Sequence, residues 1–142
     1  MCRVLRVIVK MSDSKHNPVS PSGTDRRRSE CSIACALDLF GDKWTLIIIR
    51  DLANGLTSFK DFLNSPESIS SNILATRLNT LIDKGFVEKY PEKRGGLREH
   101  YRLTRSGMSV LELLTKFDEW GLENIQGVRS MFKPADSRPS SD

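Results

Sequence analysis

The chain has 142 residues, 38% of them hydrophobic, with 22 Lys and Arg against 18 Asp and Glu for a formal charge of +4; this length and content suit one compact domain with a modest core plus appendages. The charge is compatible with nucleic acid but does not demand it. No apolar run reaches the ~20 residues of a membrane-spanning helix and no secretory cleavage pattern is present, so a cytoplasmic protein is expected, and three cysteines, an odd number, argue for free thiols over a disulfide framework.

Residues 1–29 are rich in Ser, Pro, Gly and charge and are expected to form a disordered or flexible arm. Its first ten residues, MCRVLRVIVK, alternate apolar and basic; they fit either an added strand or a stretch upstream of a natural start at Met11. Arg26, Arg27 and Arg28 read as a solvated charge run, within reach of phosphate if the arm lies along DNA.

A domain is expected over residues 30–127. Ile33, Ala34, Leu37 and Phe40 recur at helical intervals and Gly41 ends a short first helix. Asp42 opens a second helix, DKWTLIIIRDLAN, apolar on so many sides that it must be the core helix, with Trp44 as an anchor and Gly55 as its stop. Leu56 and Thr57 are expected to form a one-bridge strand against a later hairpin. Ser58 is placed to cap a brief helix with Phe59, Phe62 and Leu63 inward, and Asn64 to Glu67 form the turn that follows.

Ser70 and Ser71 precede a run in which Leu74, Leu78, Leu81 and Ile82 recur at helical spacing, so a serine hydroxyl can cap the helix, and Gly85 stops it. At about 100° per residue Asn72, Thr76 and Asn79 fall on the opposite side, with Arg77 on a flank. Such short polar side chains can bond base edges or phosphates from the major groove, although a plain solvated face has the same pattern. Alternation then takes over: Phe86 to Tyr90 and His100 to Leu103 read as two strands. PEKRGGLRE lies between them, with Gly95 and Gly96 suited to a tight turn and Lys93, Arg94 and Arg98 giving a cationic tip. A polar helix followed at once by a basic hairpin is the order of a winged helix-turn-helix, helix in one groove and tip along the neighbouring backbone.

Thr104 or Ser106 is placed to cap a last long helix with Val110, Leu111, Leu114, Phe117, Gly121, Leu122 and Ile125 as a broad apolar stripe. Leu114, Phe117, Trp120, Leu122 and Ile125 are expected to contact a second subunit, with the first helix as the other half of the interface. Residues 128–142 are Pro- and Ser-rich and expected to be disordered.

Cys31, the run Leu39-Phe40-Gly41-Asp42-Lys43-Trp44-Thr45-Leu46-Ile47-Ile48, then Ile69-Ser70 with Leu74, Arg77-Leu78, Leu81 and Gly85, and Tyr101-Arg102-Leu103-Thr104 with Gly107 together resemble the HxlR-type winged helix-turn-helix transcriptional regulators, within the MarR-like superfamily. The resemblance covers about residues 30–126. It implies a homodimer joined through its first and last helices, with one recognition helix per half-site, and a repressor or activator role; several such regulators respond to oxidants, quinones or aldehydes. Ser71 and Asn72 stand where the family often has a basic residue or proline, so the operator does not carry over. Cys31 matches the position at which some relatives sense oxidants; a thiol at a helix N-terminus favours thiolate, and the alternative is a small buried apolar residue.

The expected fold is thus mainly α with a small antiparallel β-hairpin, a winged helix-turn-helix DNA-binding domain. Ser70, Ser71, Asn72, Thr76 and Arg77 are the expected groove residues, Lys93, Arg94 and Arg98 the wing residues, and Cys31 the redox candidate. The expected partners are double-stranded DNA and a second copy of the chain, with any small-molecule effector unknown and no membrane. No Ser/His/Asp or phosphate-loop pattern appears, and two thiols without a nearby histidine make no zinc site, so neither an enzyme nor a cofactor nor a metal is expected. The rival reading is a winged-helix module that docks a protein without sequence-specific DNA binding.

Overall fold

The computed structural model describes residues 27–134 except Arg94. Among these described residues six helices and one hairpin follow in order: α1 Ser32–Phe40, α2 Thr45–Ala53, α3 Phe59–Leu63, α4 Ser71–Asp83, β1 Val87–Pro91, β2 Glu99–Leu103, α5 Arg105–Ser109 and α6 Leu111–Asn124.

Local chemistry sets most of these boundaries. The Ser58 hydroxyl accepts the amide of Asp61 while the Asp61 carboxylate accepts the amide of Ser58, a complete capping box at α3. Ser70 caps α4 by accepting from the Ile73 amide. At the far end Gly85 takes φ +80°, and Gly85 N–H and Phe86 N–H reach back to Ile82 and Leu81 carbonyls, so the chain leaves the helix in a Schellman turn that admits glycine most cheaply.

The core forms where α2, α3, α4, the hairpin and α6 meet. Ile48, Ile49, Leu52, Phe62, Leu74, Leu78, Leu81, Phe86, Val87, Tyr101, Val110 and Leu114 are all buried. Ile49 and Leu74 are wholly shielded. The core role expected of α2 holds, because it packs against α4, β2 and α6 at once; Trp44 is half-buried at its start, with Lys43 Nζ 5.0 Å above its ring.

β1 and β2 pair antiparallel, Val87 opposite Leu103 and Pro91 opposite Glu99. The extra bridge joins Ser58 to His100, one residue beyond the expected Leu56-Thr57 pair, although Tyr101 N–H does bond Thr57 O at 2.8 Å. The turn is broader than a two-glycine hairpin: residues 92–98 separate the strands and of the two glycines only Gly95 has positive φ.

The expected single last helix is broken. Thr104, not Ser106, is the cap, accepting from Gly107 N–H, and the first piece stops at Ser109. Gly107 lies so close to Phe86 O that the backbone there is fixed by packing. Helix α6 then ends at Asn124, with Ile125 in extended conformation.

The C-terminal segment also departs from expectation. Disorder was expected from residue 128, yet Ser130 Oγ donates to Asp118 Oδ2 at 2.7 Å, and Phe132 packs on the core. Asn54, the C-cap of α2, grips the same segment, donating to Met131 O at 2.8 Å and accepting from Lys133 N–H at 2.7 Å. An amide side chain can satisfy a donor and an acceptor of a passing backbone at once, which is why this polar stretch is held. The expected arm lies outside the described residues as far as residue 26, as does the tail beyond residue 134.

Candidate nucleic-acid interface

Helix α4 buries Leu74, Leu78 and Leu81 and leaves Ser71, Asn72, Ala75, Thr76 and Asn79 exposed on the other side. The groove residues proposed from periodicity therefore share one accessible surface, with two refinements. Ser70 carries the cap, so its hydroxyl already serves the helix. The Thr76 hydroxyl donates to Asn72 O at 2.9 Å, so its hydrogen is used within the helix and its oxygen remains an acceptor.

Arg77 sits on the flank, where its Nε lies 3.3 Å from Asp42 Oδ2. Asp42 is itself tightly held: Oδ2 accepts from the amides of Trp44 and Thr45 at 2.9 and 3.0 Å, and Oδ1 from the Thr45 hydroxyl. Partial burial works against its charged form, but those hydrogen bonds and the Arg77 charge outweigh it and keep the carboxyl below the usual range.

The turn that delivers α4 is braced from the core. Arg50 and Asp51 are buried on α2; Arg50 Nη1 and Nη2 donate to the two Glu67 oxygens at 2.7 and 2.8 Å, while Nη2 also donates to Ser65 Oγ and Asp51 Oδ1. The hydrogen bonds from Arg50 hold the Glu67 carboxyl down to about 2. Within this turn Ser68 has φ 57°, an uncommon backbone state for serine that the surrounding bonds sustain. Sequence reasoning missed this bracing; an Arg-Asp pair inside an otherwise apolar helix was the available signal.

On the wing, strand charges are mutually satisfied: Lys89 pairs with Glu99 at 2.9 Å and Arg102 with Glu88 at 2.6 Å. The Glu99 hydrogen bond raises the Lys89 pKa. Lys93 and Arg98 at the tip are exposed and make no ion pair among the described residues; Arg94 lies outside those residues. Thr57 Oγ1 meets His100 Nδ1 at 3.0 Å and the Tyr90 ring stacks on His100, which ties the wing to the start of α3.

Exposed apolar side chains also lie on α1 and α6. Helix α1 buries none of its residues, and Ile33 and Leu37 are 69% and 52% exposed. On α6 Phe117 and Trp120 are 56% and 60% exposed, with Leu122 and, just past the helix end, Ile125 also exposed. Leu114 is a correction: it faces α2 and is buried in its own core, so it is unavailable to a second subunit. Cys31 is the exposed N-cap residue of α1, whereas Cys35 is half-buried with its thiol 3.4 Å from Ser29 O. Arg28, close by, is occupied by Asp38 through a 2.7 Å bond.

Among the described residues no helix is long and apolar enough to cross a membrane, and no group of three or more His, Cys, Asp or Glu is arranged to hold a metal. The profile of the HxlR-like helix-turn-helix family matches residues 39–128. The chain belongs to that family. An uncharacterized HTH-type transcriptional regulator of Mycobacterium tuberculosis is 30% identical over 94 residues, 66% of this chain and 59% of that protein, so the chain spans about three-fifths of the relative's length. The crystal structure of PA1607 is 32% identical, covers 82% of this chain and 80% of its own, and superposes with a TM-score of 0.66. The redox regulator HypR in its reduced form is 26% identical, covers 66% and 93%, and has a TM-score of 0.60. The HxlR-like match spans the core helix, both helices of the helix-turn-helix, the wing and α6, which agrees with the winged-helix fold expected from the sequence.

Proposed function

We propose that this protein is a DNA-binding transcriptional regulator that acts as a homodimer. The observation that carries the reading is the juxtaposition of the exposed Ser71, Asn72, Thr76 and Asn79 face of α4 with a wing whose tip cations, Lys93 and Arg98, are not neutralised by any described acid. Membership of the HxlR-like family and a relative named as a transcriptional regulator support it. Asn72 and the Thr76 methyl group meet base edges in the major groove, and the wing tip neutralises phosphate.

The exposed apolar residues of α1 and α6 form the subunit interface, since such side chains gain most by burial against a copy of the same chain. A second copy brings a second recognition helix, one DNA turn from the first. Cys31 responds to oxidants: it is exposed at the start of the interface helix, where a modified thiol alters the packing between subunits, and the relative HypR is named as a redox regulator.

Fluorescence anisotropy of labelled DNA from upstream of the protein's own gene, beside a scrambled duplex and over a salt series, tests the reading. Specific binding is expected to exceed scrambled binding by about a thousandfold or more. Arg98→Ala weakens both duplexes alike and flattens the salt slope by about 0.9, whereas Thr76→Ala changes sequence preference. Salt-insensitive, equal and weak binding to both duplexes would overturn it.

A further inference from the structure

The Gly-Asp-Lys-Trp run lies far from α4 in sequence and its acid contacts no nucleic acid in the reading above, yet the fold brings Asp42 against the recognition helix. We infer that Asp42 is a positioning residue for DNA recognition: its charge draws Arg77 against it in an ion pair nearest Nε, which leaves the Nη1 and Nη2 edge of the guanidinium for the DNA. The inference rests on the DNA-binding reading and deepens it.

Three observations carry it. First, the Asp42 carboxylate is immobile: three donors from Trp44 and Thr45 grip it, and Thr45 is only 4% exposed. Second, the Arg77 atom nearest the carboxylate is Nε, the one guanidinium nitrogen outside the terminal fork, in an ion pair at 3.3 Å, and Arg77 makes no hydrogen bond and no other ion pair among the described residues. The Nη1 and Nη2 edge is the one that fits a phosphate, or guanine O6 and N7, with two parallel bonds. Third, the pair is only partly buried, the side chains being 37% accessible for Arg77 and 23% for Asp42, and an ion pair open to solvent in this way contributes little to folding. Its effect is to restrict a long, rotamer-rich side chain next to Thr76 on the helix that faces DNA, so less freedom is lost on binding. Asp42 accepts the amides of Trp44 and Thr45 at the start of α2, so the anchor of Arg77 is tied to the core helix.

The test is a double-mutant cycle on DNA affinity. Wild type, Asp42→Asn, Arg77→Ala and the double variant are titrated against the upstream duplex and the scrambled duplex over a salt series, with melting temperatures alongside. Asparagine keeps an acceptor for the Trp44 and Thr45 amides but not the charge, so both of those bonds can persist. Asp42→Asn is expected to weaken binding about three- to tenfold in the wild-type background and to have no further effect once Arg77 is alanine. A salt slope reduced by about 0.9 on both duplexes identifies phosphate as the acceptor; a loss confined to the upstream duplex identifies guanine. Arg77→Lys keeps the charge but cannot pair and fork together, so it should bind as weakly as Arg77→Ala at an unchanged melting temperature. Equal losses from Asp42→Asn in both backgrounds, or wild-type affinity in both single variants, would overturn the inference while leaving the regulator reading intact. Failure of the wild type itself to bind in a salt-dependent way would overturn both.

Discussion

Arg50 on the core helix holds Glu67, in the turn that leads into the recognition helix, with a two-pronged grip: Nη1 to Oε1 at 2.7 Å and Nη2 to Oε2 at 2.8 Å. Because the Glu67 carboxyl is held down to about 2, the folded protein keeps it charged at acidities where the unfolded chain, at about 4.5, is taking up its proton. The stabilisation is fully present above about pH 4.5 and disappears as pH falls through about 2. Glu67 is partly exposed, so the contribution is on the order of 1–2 kcal/mol. Urea unfolding at pH 7 and pH 3 should show Glu67→Gln less stable than wild type by that amount at pH 7, with the gap shrinking at pH 3. A gap that does not depend on pH would refute this account of the pair.

Gly107 leaves no room for a side chain. A Cβ there would lie 2.1 Å from Phe86 O and 3.0 Å from Leu103 Cδ2. The first of these is backbone, so relief requires the junction of α4 and β1 to shift. Gly107→Ala is expected to cost about 2–3 kcal/mol in chemical denaturation, despite alanine's better helix propensity. A variant as stable as wild type would show that the α5 packing is looser than described.

Trp120 tests the subunit interface without touching the core. Trp120→Glu places a charge on a side chain already 60% exposed, so the protomer should keep its melting behaviour. Light scattering coupled to gel filtration is expected to give the mass of two chains for wild type and one for the variant. Identical masses for both would remove Trp120 from the interface.

Asn54 is expected to act at a distance of many residues. Asn54→Ala removes both bonds to the 131–133 segment and should cost about 1–2 kcal/mol locally, seen as roughly tenfold faster amide exchange at Lys133. Unchanged exchange would mean that the packing of Phe132 alone holds the segment.

How far each feature was legible follows from the range of the forces behind it. The face of α4, its Ser70 cap and the Ser58 cap were readable because each is decided within four residues, by helical periodicity or by a hydroxyl meeting an amide one turn on. The strands were readable from alternation, with the bridge one residue off, since neighbouring residues of an extended chain compete for the same partner. The break before α6 was not readable: Val110 does not interrupt helices by itself, and the interruption accompanies the contact between Gly107 and Phe86 O. Leu114 and Phe117 looked equivalent in a stripe, but the core takes in one and leaves the other exposed. Arg50 with Glu67, and Asn54 with Met131, join positions that only the finished fold makes neighbours.

The root of the wing is closed on itself. Thr104 Oγ1 donates to Gly85 O at 2.5 Å and Thr104 N–H to Phe86 O at 3.0 Å, so the two ends of the hairpin are fastened together where they leave the core. Whatever happens at residues 92–98 is therefore insulated from the hydrophobic interior. Insertions, deletions or exchanges of charge at the tip change its reach and charge without being felt by Val87 or Tyr101, which makes this hairpin an interchangeable cassette on a fixed scaffold.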